Sequence, residues 1–229
     1  AWAKLTPHLR SLIPNQLLTF RTGCACPDTR SQAAGFIDFS ALETYDLPCF
    51  GDLSAPGNAK KSAARIVCLT KAEQYENGGK PVVWAEYGRS VCGTKWAKKL
   101  LYDHDSQSYL ESELEAQKLY NGTMESAMSE ANIAGSAPWW WCGGFRFTEM
   151  ADFGYLTPDG LMNESGRSYI EFCERMKNHT DARPVEVVSG NIDEYPSKDA
   201  FIREVCVPVA IKAKEGGRQI AVETEYEEI

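Results

Sequence analysis

Histidine is scarce in this 229-residue sequence: His8, His104 and His179 are the only three, and they lie far apart. None of the eight cysteines pairs with another at C-x-x-C spacing; Cys24 and Cys26 stand together only as C-A-C. Structural zinc sites and dithiol redox sites draw on such spacings, so no metal site and no cofactor is expected. Basic residues are in deficit, with 24 Lys and Arg against 32 Asp and Glu, a net charge of −8. No basic stripe is available to neutralise phosphates, which excludes a nucleic-acid partner. No apolar run approaches the roughly 20 residues that a bilayer-crossing helix needs, so no membrane partner is expected. Internal repeats and low-complexity tracts are also missing. The chain opens Ala-Trp-Ala-Lys, with neither an initiator methionine nor a signal peptide. Such a start suits a processed chain or a piece of a longer one.

Hydrophobic residues make up 43% of the sequence and charged residues 24%, so a sizeable core is affordable within a globular fold. Most of the cysteines read as small buried hydrophobes. Cys24, Cys26, Cys49, Cys92 and Cys142 fall at or just past the ends of expected strands. A disulfide or metal cluster there is the alternative, without ligand spacing to support it. Sequons at Asn121, Asn163 and Asn178 point weakly to secretion and otherwise leave the location open.

Periodicity places the elements. Trp2, Leu5, Leu9 and Leu12 recur at helical spacing, and Pro14-Asn15 ends that helix. Residues 16–20 read as a strand, 21–35 as a loop, 38–42 as a short helical turn and 45–50 as a second strand. A helix is expected over 57–77, then a strand over 81–86. Residues 106–133 read as a long helical region interrupted at Asn121-Gly122 and ended by Gly135 to Pro138, with a strand over 139–142. A further helix covers 168–176. Strands alternating with helices call for a parallel sheet covered by helices, an α/β fold. Beyond Pro184 the pattern changes to strand (185–188), helix (197–215) and strand (220–222), ending in the acidic ETEYEEI. This reads as the start of a second α/β unit, which divides the chain into 1–183 and 184–229.

The stretch GGKPVVWAEYG, residues 78–88, raises the functional question. An apolar strand, Val82-Val83-Trp84, finishes on a carboxylate, Glu86, followed by Tyr87 and Gly88. In parallel α/β barrels the carboxyl ends of strands carry the catalytic groups, because the loops there open the site. A buried strand aims such a carboxylate rigidly, and Gly88 lets the chain turn away close to a ligand. The structural alternative is a strand-terminal Glu that caps a helix or pairs with a lysine.

KPVVWAEYG resembles the seventh-strand segment of the clan-A glycoside hydrolases, retaining (β/α)8-barrel enzymes that include family 5 cellulases and mannanases and the barrel β-galactosidases. Residues 106–145 resemble the helix and eighth strand that follow, and ADFGYLTPDGLMNESGRSYIEF the loop and last helix. NQLLTF and YDLPCFGDLS sit where the fifth and sixth strands would be. The resemblance implies the later βα units of a TIM-type barrel with Glu86 as nucleophile. It also implies an oligosaccharide or glycoside substrate packed on the aromatic face of Trp141. Strand alternation would put Trp139 on the same side as Trp141. Asp52 is a candidate for a sugar hydroxyl and Arg89 for a substrate carboxylate or for Glu86 itself.

Retaining chemistry needs two carboxyls about 5 Å apart, one as nucleophile and one as acid and then base. The family's acid follows an Asn at the end of the fourth strand, and no Asn-Glu pair precedes Glu86 here; the only one is Asn163-Glu164. The sixth-strand stretch also departs from the family, offering Phe50, Gly51 and Asp52. A missing N-terminal half or a partner chain would have to complete the barrel, since half a barrel exposes sheet edges. The competing function is a carbohydrate-binding pseudo-enzyme. A lyase or aldolase barrel ranks below both, because no expected strand ends in Lys.

Overall fold

A computed structural model describes residues 2–19, 37–43, 57–89, 106–139, 154–156 and 160–226. In chain order these form helix α1 (Trp2–Leu12), strand β1 (Ser40–Glu43), α2 (Asn58–Glu76), β2 (Val82–Tyr87), α3 (Ser106–Ala131), β3 (Gly135–Pro138) and α4 (Glu164–Met176). Strand β4 (Val185–Asn191), a helix α5 and strand β5 (Gln219–Glu225) follow. Helix α5 is α-helical over Lys198–Phe201, widens to a π-helical turn over Ile202–Cys206 and continues as α-helix over Val207–Glu215.

The first sheet has the order β1-β2-β3, all parallel. The expected parallel neighbour relation between the Glu86 strand and the strand after α3 is therefore present. Two expectations shift. Within residues 38–42, read as a helical turn, Ser40 to Leu42 belong to a strand and pair with Val82, Val83 and Trp84. All four residues of β1 are buried, so tertiary burial overrides the mixed local signal. The last strand of this sheet is Gly135–Pro138, not 139–142. Small residues there let β3 lie close on β2, with Gly135 packed on the Val83 side chain. Residues 16–19 carry no strand ladder; Leu18 instead accepts from the Asp38 N–H at 2.7 Å and gives its own N–H to the Asp38 carboxylate at 2.6 Å. That carboxylate also binds Arg10 at 2.5 Å, which ties α1 to the start of β1. The Arg10 guanidinium is the main reason the Asp38 carboxyl titrates below the usual carboxylate range. The strand expected at 45–50 lies outside the described residues.

Helix α3 runs unbroken through Asn121-Gly122. A glycine costs only about 1 kcal/mol in a helix interior, and burial of Met124, Ala127, Met128 and Ala131 outweighs it. Helix α2 is buried nearly all round, with Ala64, Ile66, Val67, Cys68, Leu69, Thr70 and Ala72 all covered. The reason is its position: it packs against α3 and β2 and also against α5 and β5. It ends where Gly78 and Gly79, at φ of 74° and 80°, fold their N–H groups back onto the Tyr75 and Gln74 carbonyls.

The strand–helix–strand reading of 184–229 matches the order of elements. β4 and β5 pair in parallel over seven residues each, from Val185 with Gln219 to Asn191 with Glu225. Among the described residues this sheet is separate from the first. It is anchored to α2 by Glu76, whose carboxylate binds Lys198 at 2.7 Å and accepts from Thr224 and Tyr226 at 2.9 Å each. Arg65 and Asp199 add a half-buried pair at 2.5 Å.

Trp84 is the largest fully buried side chain of the first sheet, and its Nε1–H donates to Thr70 Oγ1 of α2 at 3.0 Å. Trp84→Phe removes that donor and part of the ring volume. We expect a loss on the order of 2 kcal/mol, read as a lower urea midpoint; an unchanged midpoint would contradict the packing described.

Candidate active site

Residues on β2 do not alternate regularly. The Trp84 indole reaches α2, and the Tyr87 hydroxyl reaches Glu125 Oε1 of α3 at 3.5 Å. Both side chains thus face the helices although they stand three positions apart, an odd spacing that a regular strand would put on opposite faces. The ladder explains this. On one side Leu42 pairs with Trp84 and the next residue, Glu43, pairs with Glu86; on the other, Ser136 pairs with Trp84 and Pro138 with Tyr87. Each neighbour skips a residue of β2, so the strand bulges at residues 85–86. A bulge re-aims the side chain that follows it. With Tyr87 on the helix side after the bulge, alternation assigns Glu86 to the opposite side, near the carboxyl end of a parallel strand. Glu86 is recessed, with 8% of its surface exposed.

The bulge is held from behind. Tyr87, Tyr155 and Glu125 are buried together, with the Tyr155 hydroxyl 3.4 Å from Glu125 Oε1. Burial pushes the Glu125 carboxyl up to about 8, only partly offset by the two phenol hydrogen bonds. Burial likewise drives the Tyr87 and Tyr155 phenols far above their ordinary range, and Tyr169 up to about 12. The cluster is therefore neutral below about pH 8, an uncharged backing for the strand end. Tyr169 completes it by donating to the Ser136 carbonyl of β3 at 3.1 Å.

Gly88 follows at φ 152°, and a Cβ there would lie 2.4 Å from the Trp139 carbonyl oxygen. The Trp139 N–H in turn donates to the Tyr87 carbonyl at 2.6 Å. Gly88 therefore lets the residue after β3 close onto the residue after Glu86. Gly88→Ala is expected to cost about 2–3 kcal/mol through this clash and the strained φ. Thermal unfolding checks it; a wild-type midpoint would show that the two strand ends are not in contact.

Of the expected site residues, Glu86 lies next to last in β2 and Trp139 just past β3, where the Trp139 backbone meets Tyr87 and Gly88. Arg89 is held toward α3: its guanidinium lies 3.5 Å from Glu113, and its carbonyl accepts from Gln117 at 3.0 Å. Trp141 and Asp52 lie outside the described residues. Asn163-Glu164 serves α4: Asn163 caps its first turn by accepting from the Gly166 N–H at 2.9 Å, and Glu164 pairs with the exposed Arg167. Of the three sequons, Asn121 is buried and Asn163 is engaged in this cap, leaving Asn178 exposed. Among the described residues no group of three His, Cys, Asp or Glu side chains is placed to hold a metal. One residue that sequence reading missed is Glu43, 3% exposed and paired in register with Glu86. The only signal was faint: Phe39-Ser-Ala-Leu-Glu43 also finishes on an acid, but Ser40 and Ala41 give it no strand signature of its own.

No family model matches the sequence, and no curated protein does. Solved structures match by shape. One is GH5_18 from Streptomyces cattleya in complex with GlcNAc, at a TM-score of 0.50 and 15% identity, over 86% of this chain and 51% of that one. Another is the exo-beta-1,4-mannosidase Op5Man5 from Opitutaceae bacterium strain TAV5, at 0.56 and 13%, over 97% of this chain and 41% of that one. The fold is similar to that of family 5 glycoside hydrolases. The chain spans about half the length of these structures or less. At such identities the likeness concerns fold, and the residues that would do chemistry must be argued from their own geometry.

Proposed function

We propose that this chain is the later part of a (β/α)8 barrel belonging to a retaining glycoside hydrolase that acts on β-linked glycosides, with Glu86 as nucleophile. The observation that carries the reading is the bulge that presents a recessed carboxylate at the carboxyl end of a parallel strand. In this reading Glu86 attacks the anomeric carbon to form a glycosyl-enzyme, and water later releases the sugar with the first configuration restored. Trp141 and Trp139 provide the platform for the sugar ring, and Asp52 a hydroxyl contact. Arg89 keeps a positioning role on α3. The acid that protonates the leaving oxygen comes from outside these 229 residues. Exposed Leu12 and Leu17, at 64% and 74%, fit a surface that further barrel structure covers. Residues 184–229 form an accessory unit after the barrel portion, 1–183. The GlcNAc complex and the mannosidase among the structural matches make β-mannosides and GlcNAc-containing glycosides the first substrates to try. The test is the anomeric configuration of the first product released by the full-length protein, followed by proton NMR. Retention is expected; inversion would end the nucleophile assignment.

A further inference from the structure

Helix α3 buries a column of polar side chains. Gln117, Asn121 and Glu125 follow one another at four-residue spacing on one helix face, and none is more than 2% exposed. The two ends of the column grip the chain that leaves β2. At one end the phenols of Tyr87 and Tyr155 donate to Glu125 Oε1, at 3.5 and 3.4 Å. At the other, Gln117 Nε2 donates to the Arg89 carbonyl at 3.0 Å, while its Oε1 accepts from Asn163 Nδ2 at 3.3 Å. Between them stands Asn121, neither amide atom of which is hydrogen-bonded among the described residues. Tyr87 directly follows Glu86 and closes the bulge, so a group that fixes its phenol also fixes the piece of chain that carries Glu86. Burying a carboxyl there costs stability that an apolar side chain would not cost. Such departures from a plain core mark functional positions.

We propose that Glu125 is a positioning residue for Glu86, acting through Tyr87: the buried carboxyl fixes the phenol, and the phenol fixes the bulge. The inference rests on the reading of Glu86 as nucleophile and adds a residue that acts on it from the helix side of the sheet. The groups that face Glu125 are Tyr87 from β2, Tyr155 from the segment before α4, and Tyr169 and Arg175 from α4. Arg175 favours the ionised carboxyl, but burial outweighs it and raises the group to about 8. On the α2 side, Cys68 acts on Glu130 and Cys206, and Lys71 on Asp181 and Arg183. A carboxylate formed among buried phenols is drawn toward better solvation. The Asn121 amide, one helical turn away, offers it a donor. That movement withdraws the carboxyl from Tyr87. Glu86 is therefore well placed while Glu125 is protonated and less well placed once it ionises.

The experiment follows covalent labelling of the full-length protein by a fluoromannosyl and a fluoroglucosyl fluoride, from about pH 6 to about pH 9, in intact-protein mass spectrometry. In the labelling step a Glu86 oxygen bonds to the anomeric carbon while the carbon–fluorine bond breaks and fluoride leaves. Fluoride departs without protonation, so the pH profile of this step does not report the missing acid. Rates are taken at saturating probe and referred to the folded fraction. Wild type should label more slowly as pH rises through about 8, losing roughly tenfold between about pH 7 and about pH 9. Glu125→Ala should slow labelling about tenfold or more near neutral pH. Glu125→Gln, which keeps a hydrogen-bonding side chain, should restore most of that rate and lack the alkaline fall. A Glu125 with a structural role alone would change the folded fraction and leave this profile where it was. The proposal is overturned by a wild-type rate that stays level to about pH 9, by an alkaline fall that Glu125→Gln retains, or by a folded Glu125→Ala that labels like wild type. If the Ala variant fails to fold, Tyr87→Phe decides: it breaks the link while keeping the ring, and an unchanged rate and profile would overturn the proposal. If wild type is labelled by neither probe at any pH, the reading of Glu86 itself fails, an outcome distinct from an unmoved profile.

Discussion

Glu86→Gln is expected to lower turnover of a β-glycoside by the full-length protein roughly a thousandfold or more, while sugar affinity changes only a few-fold. The substitution keeps the shape of the side chain and one acceptor oxygen, exchanging the other for an NH2 donor. What it removes is the negative charge that attacks the anomeric carbon, an interaction that develops only on the way to the transition state. A loss confined to kcat is therefore the signature of a nucleophile, and a loss confined to KM the signature of a binding residue. If Glu86 merely fastened the end of β2, its replacement would lower the unfolding midpoint and leave turnover of the folded fraction intact. Steady-state kinetics together with an unfolding curve separate these cases. The isolated 229-residue chain should turn over unactivated glycosides little or not at all, because the acid is expected from outside it.

Stability should fall as pH rises from about 4.5 to about 8, and Glu125 is the reason. Its carboxyl titrates near 4.5 in the unfolded chain and is pushed up to about 8 by burial in the fold. The native state therefore holds a proton that the unfolded state has lost across that window. A raised carboxyl pKa gives stability that is complete below the unfolded value and is lost as pH climbs to the folded one. At about 1.4 kcal/mol per pH unit, the whole window is worth on the order of 4–5 kcal/mol. Glu125→Gln keeps a neutral, hydrogen-bonding side chain beside Tyr87 and Tyr155 and should abolish this dependence. The variant should match wild type near pH 5 and exceed it near pH 8 in urea unfolding. Asp181, held down to about 2 by Arg183, acts in a different and more acidic window: its contribution is present above the unfolded value of 3.8 and fades as pH falls toward 2. A wild type and a Glu125→Gln variant that lose stability in parallel with rising pH would contradict the buried, protonated carboxyl.

How much of this was legible in the sequence differs by element. β2 was plain, because Val82, Val83 and Trp84 form an apolar run between a glycine turn and Gly88. β4, α5 and β5 were equally plain, since each carries its own periodicity between clear turn signals. β1 was hidden because Ser40-Ala-Leu-Glu43 has no strand signature of its own and is extended only because Val82, Val83 and Trp84 bind it. β3 was displaced by four residues because Gly135 to Pro138 reads as punctuation, and only its close fit on β2 makes it a strand. The continuity of α3 through Gly122 was likewise set by packing. At the site, the sequence placed Glu86 near the carboxyl end of its strand, as it lies in β2, but put Trp139 at the start of a strand rather than just past one. It could not show the bulge, which arises from the mismatch of β2 with both neighbours at once. Glu43 went unnoticed for the same reason, because its strand was not recognised.

The most direct test of the central claim is to trap the glycosyl-enzyme. A fluorosugar with an activated leaving group, incubated with the full-length protein, should leave one sugar on the chain. Digestion and tandem mass spectrometry should then map it to the peptide containing residues 82–87 and to Glu86 itself, with no label in Glu86→Gln. A label on any other carboxylate, or equal labelling of the Gln variant, would contradict the assignment.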